Sequence, residues 1–357
     1  MKVLQVCAYA PPYEGNFIKS LKALGKKLAE DGYEMIYALP DSARDITWCR
    51  ALAQETAVYF LPLSKARIRM KTYRMLRWIY RENPDIAIIH SHFELYDIPV
   101  TMTAPKHVMV FWHLHDAISN YADFKNRMIC KIQYRYLHKS SILLSVSQKH
   151  MAYVLRLGFP AGQARYVPNG LDTDRILMVT SPYAARPYDF LIFGWDFERK
   201  GVDLGIRAME LLPGNVCMGV VGDANTPRRI TELHHNAEGV EVLEPVADIN
   251  GLYEKSKCFL HISRAEGLSY ALLEAVYAGL PVICSDIEEN RFAERFPTVH
   301  MVRNKNVEDI RDAMQLRLQA DACSSEQIMQ SRQLIEEEYS ISRWVKDMLD
   351  CYGVKHD

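Results

Sequence analysis

Short apolar runs recur along the chain, each followed by a glycine-bearing or polar break and then by a stretch with helical spacing. Lys2 to Ala8 alternates as a buried strand, the loop through Pro11, Pro12, Gly15 and Asn16 follows, and Phe17, Leu21, Leu24 and Leu28 mark a helix ending at Asp31-Gly32. Further strands are expected at Tyr33–Leu39, Ile86–Ile89, His107–Phe111 and Ile142–Val146, with a long basic helix over residues 118–138 and Ser147 as the cap of the next. The second half repeats the rhythm with strands at Asp189–Phe193, Val216–Val221, Val240–Leu243 and Cys258–Ile262. Strands alternating with helical patterns imply parallel sheets covered on both faces, an α/β class built from doubly wound units.

One stretch carries more chemistry than the rest. Cys258–Ile262 reads as a strand, Glu266-Gly267 as a turn, and Tyr270–Ala278 as a helix capped by Ser269 and stopped by Gly279 and Pro281. The free amides of that first helical turn favour an anion such as a pyrophosphate. Glu266 and Glu274 flank the site, and two carboxylates repel phosphate. They do accept hydrogen bonds from hydroxyls, one set on a sugar and one on a ribose, which together describe a nucleotide sugar. No Gly-x-Gly-x-x-Gly follows the first strand, so a nicotinamide site is not supported.

Glu266, seven residues, Glu274, with Gly267 after the first and Gly279-Leu280-Pro281-Val282-Ile283 after the second, resembles the donor motif of family 4 retaining glycosyltransferases. That family has the GT-B fold, two Rossmann-like domains facing each other. The resemblance implies that Glu266 meets the donor sugar, Glu274 the ribose, and the segment Gly267, Leu268 and Ser269 the phosphates. Gly15 resembles the family's loop glycine, and Arg199-Lys200-Gly201 its basic pair on the leaving diphosphate. Many relatives carry Arg where this chain has Trp195, and Arg199 is expected to replace that charge. His115, followed by Asp116, fits the position that contacts the sugar near its reacting carbon, with His113 and Asn16 as alternatives. Val246 falls where relatives cradle the nucleobase. Tyr166 to Asp172 resembles the segment leaving the first domain, which implies an acceptor domain over residues 1–172, a donor domain over 173–339, and a terminal helix at about 340–357 packing back on the first. His115, Glu266 and Lys200 are then the catalytic candidates. The implied reaction retains anomeric configuration, needs no metal or other cofactor, and draws on a nucleoside diphosphate sugar, UDP-linked.

Composition adds the partners. With 49% hydrophobic and 24% charged residues the 357-residue chain is an ordinary globular one, and no run reaches the length of a membrane span. Eight scattered cysteines without a Cys-x-x-Cys pair read as reduced core residues, and the cytoplasm is the expected location. The net charge of −1 hides an asymmetry. Residues 1–175 carry 24 Lys and Arg against 15 Asp and Glu, and residues 176–357 carry 19 against 29. Much of the basic excess lies in 65–81, seven cations and no anion interleaved with Met, Leu, Trp and Tyr. A stretch of this kind either lies on an anionic membrane, here the inner face of the plasma membrane, or packs one face into a core at Met70, Tyr73 and Arg77. A lipid-linked acceptor in cell-surface polysaccharide or glycolipid synthesis fits such charge; nucleic acid does not, as no binding module accompanies it.

Rival chemistries fit some of the same residues. A sugar-nucleotide epimerase or hydrolase uses the same scaffold, since fold does not fix chemistry. His90, His92, His113 and His115, at the ends of two strands with Asp97 and Asp116 nearby, offer the ligand types of a metal hydrolase. A binding subunit without catalysis is the third.

Overall fold

The computed structural model describes residues 1–115, 124–233, 238–246 and 248–354. These form two compact units, Met1–Gly170 with Ile341–Asp357, and Leu171–Ser340. Each is an α/β layer structure on an all-parallel sheet.

In the first unit the strands are β1 (Lys2–Cys7), β2 (Glu34–Pro40), β3 (Val58–Leu61), β4 (Ile86–His92), β5 (Met109–Leu114), β6 (Ile142–Ser145) and β7 (Ala164–Tyr166), ordered 3-2-1-4-5-6-7. In the second they are β8 (Tyr188–Phe193), β9 (Met218–Val221), β10 (Val240–Leu243), β11 (Ser256–His261), β12 (Val282–Asp286) and β13 (Val299–Arg303), ordered 10-9-8-11-12-13. The order reverses between β1 and β4 in one sheet and between β8 and β11 in the other. At such a point the loops leaving two neighbouring strands run to opposite faces and open a crevice at the carboxyl ends. Gly15 and Asn16 follow β1 at the first reversal, and Arg199, Lys200 and Glu266 follow β8 and β11 at the second.

Both faces of the first sheet are covered. Phe17, Leu21, Leu24 and Leu28 of the helix Gly15–Glu30 pack with Trp344, Met348 and Leu349 of the last helix, Ile341–Tyr352, on one face. Leu76, Ile79, Val100, Trp112 and Tyr134 fill the other. Each such side chain contributes roughly 1.5–3 kcal/mol by leaving water, and the returning last helix seals the face over β1 and β4. Asn169-Gly170 turns beneath it, where a Cβ at Gly170 would lie 2.8 Å from that of Trp344.

The basic stretch 65–81 differs from the expected pattern. The helix starts only at Met70, running Met70–Glu82, and its buried side is Thr72, Leu76, Ile79 and Tyr80. Met70 and Arg77 are exposed and Tyr73 is half-buried, so core spacing begins two residues later than expected. Of the long helix expected over 118–138, residues 124–132 are helical and 133–137 form a π-turn, while 118–123 lie outside the described residues. Cys217 is exposed, contrary to the reading of a cysteine core residue; six of the others are buried. No helix among the described residues is long and apolar enough to cross a membrane.

Candidate active site

The loop leaving β8 is shaped by its own backbone. Lys200 N–H donates to Asp196 O at 2.8 Å, and Gly201 closes the turn at φ +75°, where a Cβ would stand 2.3 Å from Ile262 O. Only glycine fits there. The close approach joins this loop to the one leaving β11, and Arg264 N–H donates to Arg199 O at 2.7 Å. Arg264 also grips Asp203 through two bonds of 2.7 Å, a bidentate clamp from the β11 loop to the helix Val202–Glu210 that follows the β8 loop.

This clamp brings three charged groups together. Lys200 Nζ lies 2.7 Å from Glu266 Oε1, and Arg199 Nη1 lies 3.2 Å from Oε2. Arg199 also donates to Ala265 O at 3.3 Å and, through Nε, to Asp196 at 2.7 Å. Burial alone raises the Glu266 carboxyl, but Lys200 and Arg199, with His261 adding to them only when protonated, bring it down to about 2. His261, 3.9 Å from Glu266, is held near 4 chiefly by burial and stays neutral. The exposed ring of Trp195 stands 5.0 Å from Lys200 Nζ, so the residue that departs from the family pattern rests on the lysine's ammonium as a cation–π partner.

The helix Tyr270–Tyr277 starts at the same loop. Ser269 Oγ accepts from Leu272 N–H at 3.4 Å, as its N-cap role requires, and Leu268 is buried beside it. Glu274 is buried and paired with Arg175, from the turn Thr173–Arg175. Val246, after β10, is exposed.

In the first unit Gly15 and Asn16 follow β1, and His113 and His115 lie at the end of β5. Gly15 opens its helix at φ +62°, where a Cβ would lie 2.9 Å from Tyr9 Oη. Asn16 is buried in the first turn. His113 has no exposure and is closed over by the rings of β4, so it is not placed to meet a sugar; His115 lies just past the end of β5 and is partly exposed. Asp116 lies outside the described residues. Burial is the main cause that keeps His115 near a pKa of 3, and it holds His90, His92 and His113 well below the usual imidazole range. Ring nitrogens of His90, His92 and His113 come within 4.8 Å of one another. His90 stacks on His92 at 4.0 Å and on His113 at 5.3 Å. Lone pairs lie in the ring planes, and stacked rings do not aim them at one point.

Sequence comparison agrees with this architecture. Residues 188–320 match the family described as Glycosyl transferases group 1, and residues 19–175 match Glycosyltransferase Family 4. The chain belongs to the group 1 glycosyltransferases. An uncharacterized glycosyltransferase of Methanocaldococcus jannaschii is 22% identical over 243 residues, 62% of this chain and 60% of its own length. The lipopolysaccharide glucosyltransferase WaaG of Escherichia coli is 34% identical over 101 residues, 26% of this chain and 27% of its own. The matches thus span less than two thirds of either curated relative. HepE of Anabaena, solved with UDP and glucose, superposes with a TM-score of 0.77 over 99% of both chains at 14% identity, which establishes the GT-B fold.

For this glycosyltransferase the sequence reading missed Arg175 and His261 beside the glutamates, and Gln5 and Tyr352 beneath the histidines. His261 ends an apolar run next to the motif, a local signal. Arg175, Gln5 and Tyr352 reach their partners from 99, 87 and 262 residues away, and no spacing rule records that.

Proposed function

We propose that the protein transfers a sugar from a UDP-linked donor to a hydroxyl acceptor with retention at the anomeric carbon and without a metal. The observation that carries the reading is the buried Glu266 carboxylate braced between Lys200 and Arg199 at the β8/β11 reversal. Cations held in place before the reaction stabilise charge that appears only as it proceeds. In this reading Lys200, Arg199 and the amides at the start of the Tyr270–Tyr277 helix receive the diphosphate. The bond from the anomeric carbon to the diphosphate oxygen breaks and the bond to the acceptor oxygen forms on the same face. The acceptor's proton passes to the departing diphosphate oxygen. Gly15 contributes the loop backbone, Val246 lies by the base, Glu274 accepts from the ribose hydroxyls, and Glu266 and His115 position the sugar.

The acceptor we assign is lipid-linked or otherwise anionic, used at the inner face of the membrane in making a cell-surface polysaccharide or glycolipid. The supporting surface is the helix Met70–Glu82, which exposes Lys71, Arg74, Arg77 and Arg81 together with Met70 and Trp78, and Ile68 just before it at 77% exposure. WaaG is named for lipopolysaccharide and HepE was solved with UDP and glucose, and both names agree with the reading. Incubation with a panel of nucleotide sugars, with and without lipid-linked acceptors, tests it. Acceptor-dependent release of UDP is expected; turnover of donor alone at the same rate would replace transfer by hydrolysis or epimerisation.

A further inference from the structure

Beneath His115 the first unit buries a continuous hydrogen-bonded chain of side chains from four different elements. His115 Nδ1 lies 3.2 Å from Asn169 Oδ1, and His115 Nε2 lies 2.9 Å from His92 Nδ1. His92 Nε2 is 2.8 Å from the Gln5 amide, whose other end is 3.1 Å from Tyr352 Oη. Tyr352 Oη in turn is 2.7 Å from His90 Nδ1. Gln5, His90 and His92 have no exposure at all, and Tyr352 has 3%. The chain therefore runs from the strand end that carries His115 down to the last helix through buried side chains.

A neutral imidazole carries one N–H and one bare nitrogen, and an amide end or a hydroxyl is likewise matched to one role in each bond. Burial keeps both rings neutral. Along such a chain every donor faces the same way. Reversing His115 alone would set two N–H groups, or two lone pairs, against each other at the His92 contact, and in a buried site that mismatch is costly. The order is set by Gln5: its Oε1 accepts from His92 Nε2–H, so His92 Nδ1 is bare and accepts from His115 Nε2–H, which leaves His115 Nδ1 a lone pair facing Asn169 Oδ1, itself an acceptor. At the far end His90 Nε2 has no partner among the described residues, so nothing there holds the order. The His92 bond at the ring edge and the tilted His113 ring, its centroid 4.1 Å away, keep His115 from rotating instead.

We infer that His92, Gln5 and Tyr352 are positioning residues that hold His115 as the Nε2–H tautomer, so that its bare Nδ1, beside Asn169 Oδ1, accepts from a hydroxyl of the sugar. The inference deepens the proposed function and rests on its placement of His115. It also gives the last helix a role beyond covering the core, since Tyr352 supplies the hydroxyl that fixes the Gln5 amide.

Nitrogen-15 NMR of the histidine rings in the full chain, near neutral pH, reads the tautomer directly. The wild type is expected to show His115 as one neutral tautomer. Tyr352→Phe and Gln5→Leu are expected to show both tautomers in exchange, with kcat lowered roughly 10- to 100-fold, the scale on which partners that orient a histidine act elsewhere, and donor KM changed much less. Both tautomers in the wild type, or an unaltered single tautomer in both variants, would overturn the inference. So would tight uptake of one zinc ion by His90, His92 and His113 in the wild type, because it would break the His92 links. Full activity in His115→Ala would remove His115 from the reaction and so defeat the proposed role, whereas the tautomer measurement stands apart from that result.

Discussion

Glu266 and Lys200 meet at 2.7 Å with 5% and 6% of their surfaces exposed, a charged pair with almost no access to water. Such a pair stabilises a fold little compared with apolar side chains of the same shape, because removing two charges from water offsets most of their attraction. Its presence at a strand-order reversal therefore points to a task outside stability.

Removing one partner separates the two contributions. Lys200→Ala is expected to lower kcat/KM by at least ~10-fold through loss of a charge-assisted contact. It also leaves the Glu266 charge buried beside Arg199 alone, and a broken buried pair costs about 3–5 kcal/mol. The double variant Lys200→Met with Glu266→Gln should recover much of the stability in urea titrations and none of the activity. Recovery of both would make the pair structural.

Glu274 is the donor-side test. Glu274→Ala is expected to lower kcat/KM at least ~10-fold, with the loss mainly in donor KM. The same change strands Arg175, so Arg175→Ala should reproduce the fall in stability but a smaller part of the donor effect. Unchanged kinetics in both Glu274→Ala and Lys200→Ala would remove the donor-site assignment.

Gly201→Ala should be far more damaging than an alanine at an ordinary loop position. The new Cβ meets the Ile262 carbonyl at 2.3 Å in a backbone conformation that L residues rarely adopt. Strain of this kind costs about 1–3 kcal/mol, and any relief by movement of the loop displaces Arg199 and Lys200. A lower melting temperature together with weakened donor binding is expected; a Tm within a degree of wild type would contradict the geometry.

Stability should depend on pH in two steps. His90, His92 and His113 are fully buried with pKa values well below the unfolded value of about 6.5. Above that pH neither state binds the protons and the stability is fully present. Below it the unfolded chain takes protons that the native state refuses, and stability falls by about 1.4 kcal/mol per pH unit for each histidine. Glu266, lowered from 4.5 to about 2, adds a further loss as pH drops through that interval. Urea midpoints measured from pH 8 to 4 should be flat and then fall steeply below about 6.5; a flat profile to pH 5 would mean the rings are hydrated.

Binding to the membrane is tested through the exposed side of the helix Met70–Glu82. Vesicles rich in anionic lipid should retain the wild type at low salt and release it as salt rises. Arg74→Glu with Arg77→Glu should abolish retention without altering the fold, since both side chains are exposed. Equal retention by both proteins would remove the membrane from the proposal.

Local patterns carried the strand and helix succession and the Ser269 cap, because those depend on side chains a few residues apart; that Glu266 meets Lys200 and Arg199, 66 and 67 residues away along the chain, was decided by the fold. The inward face of the basic helix was misplaced for a related reason. Its alternation of cations with Met, Tyr and Trp offers two apolar stripes, and only the neighbouring helix Asp97–Thr103 and strand β3 decide that Leu76 and Ile79 turn in while Met70 and Trp78 stay out.

By itself the sequence determined the class of the chain, two runs of strands alternating with helices, since hydrophobic period and capping are properties of neighbours along the chain. Tertiary structure alone decided that Arg175 holds Glu274, that His113 is sealed while His115 is offered, and that Gln5 and Tyr352 reach the histidines. Those contacts join residues separated by tens to hundreds of positions, which come together only when the strand order reverses and the last helix returns to cover β1 and β4.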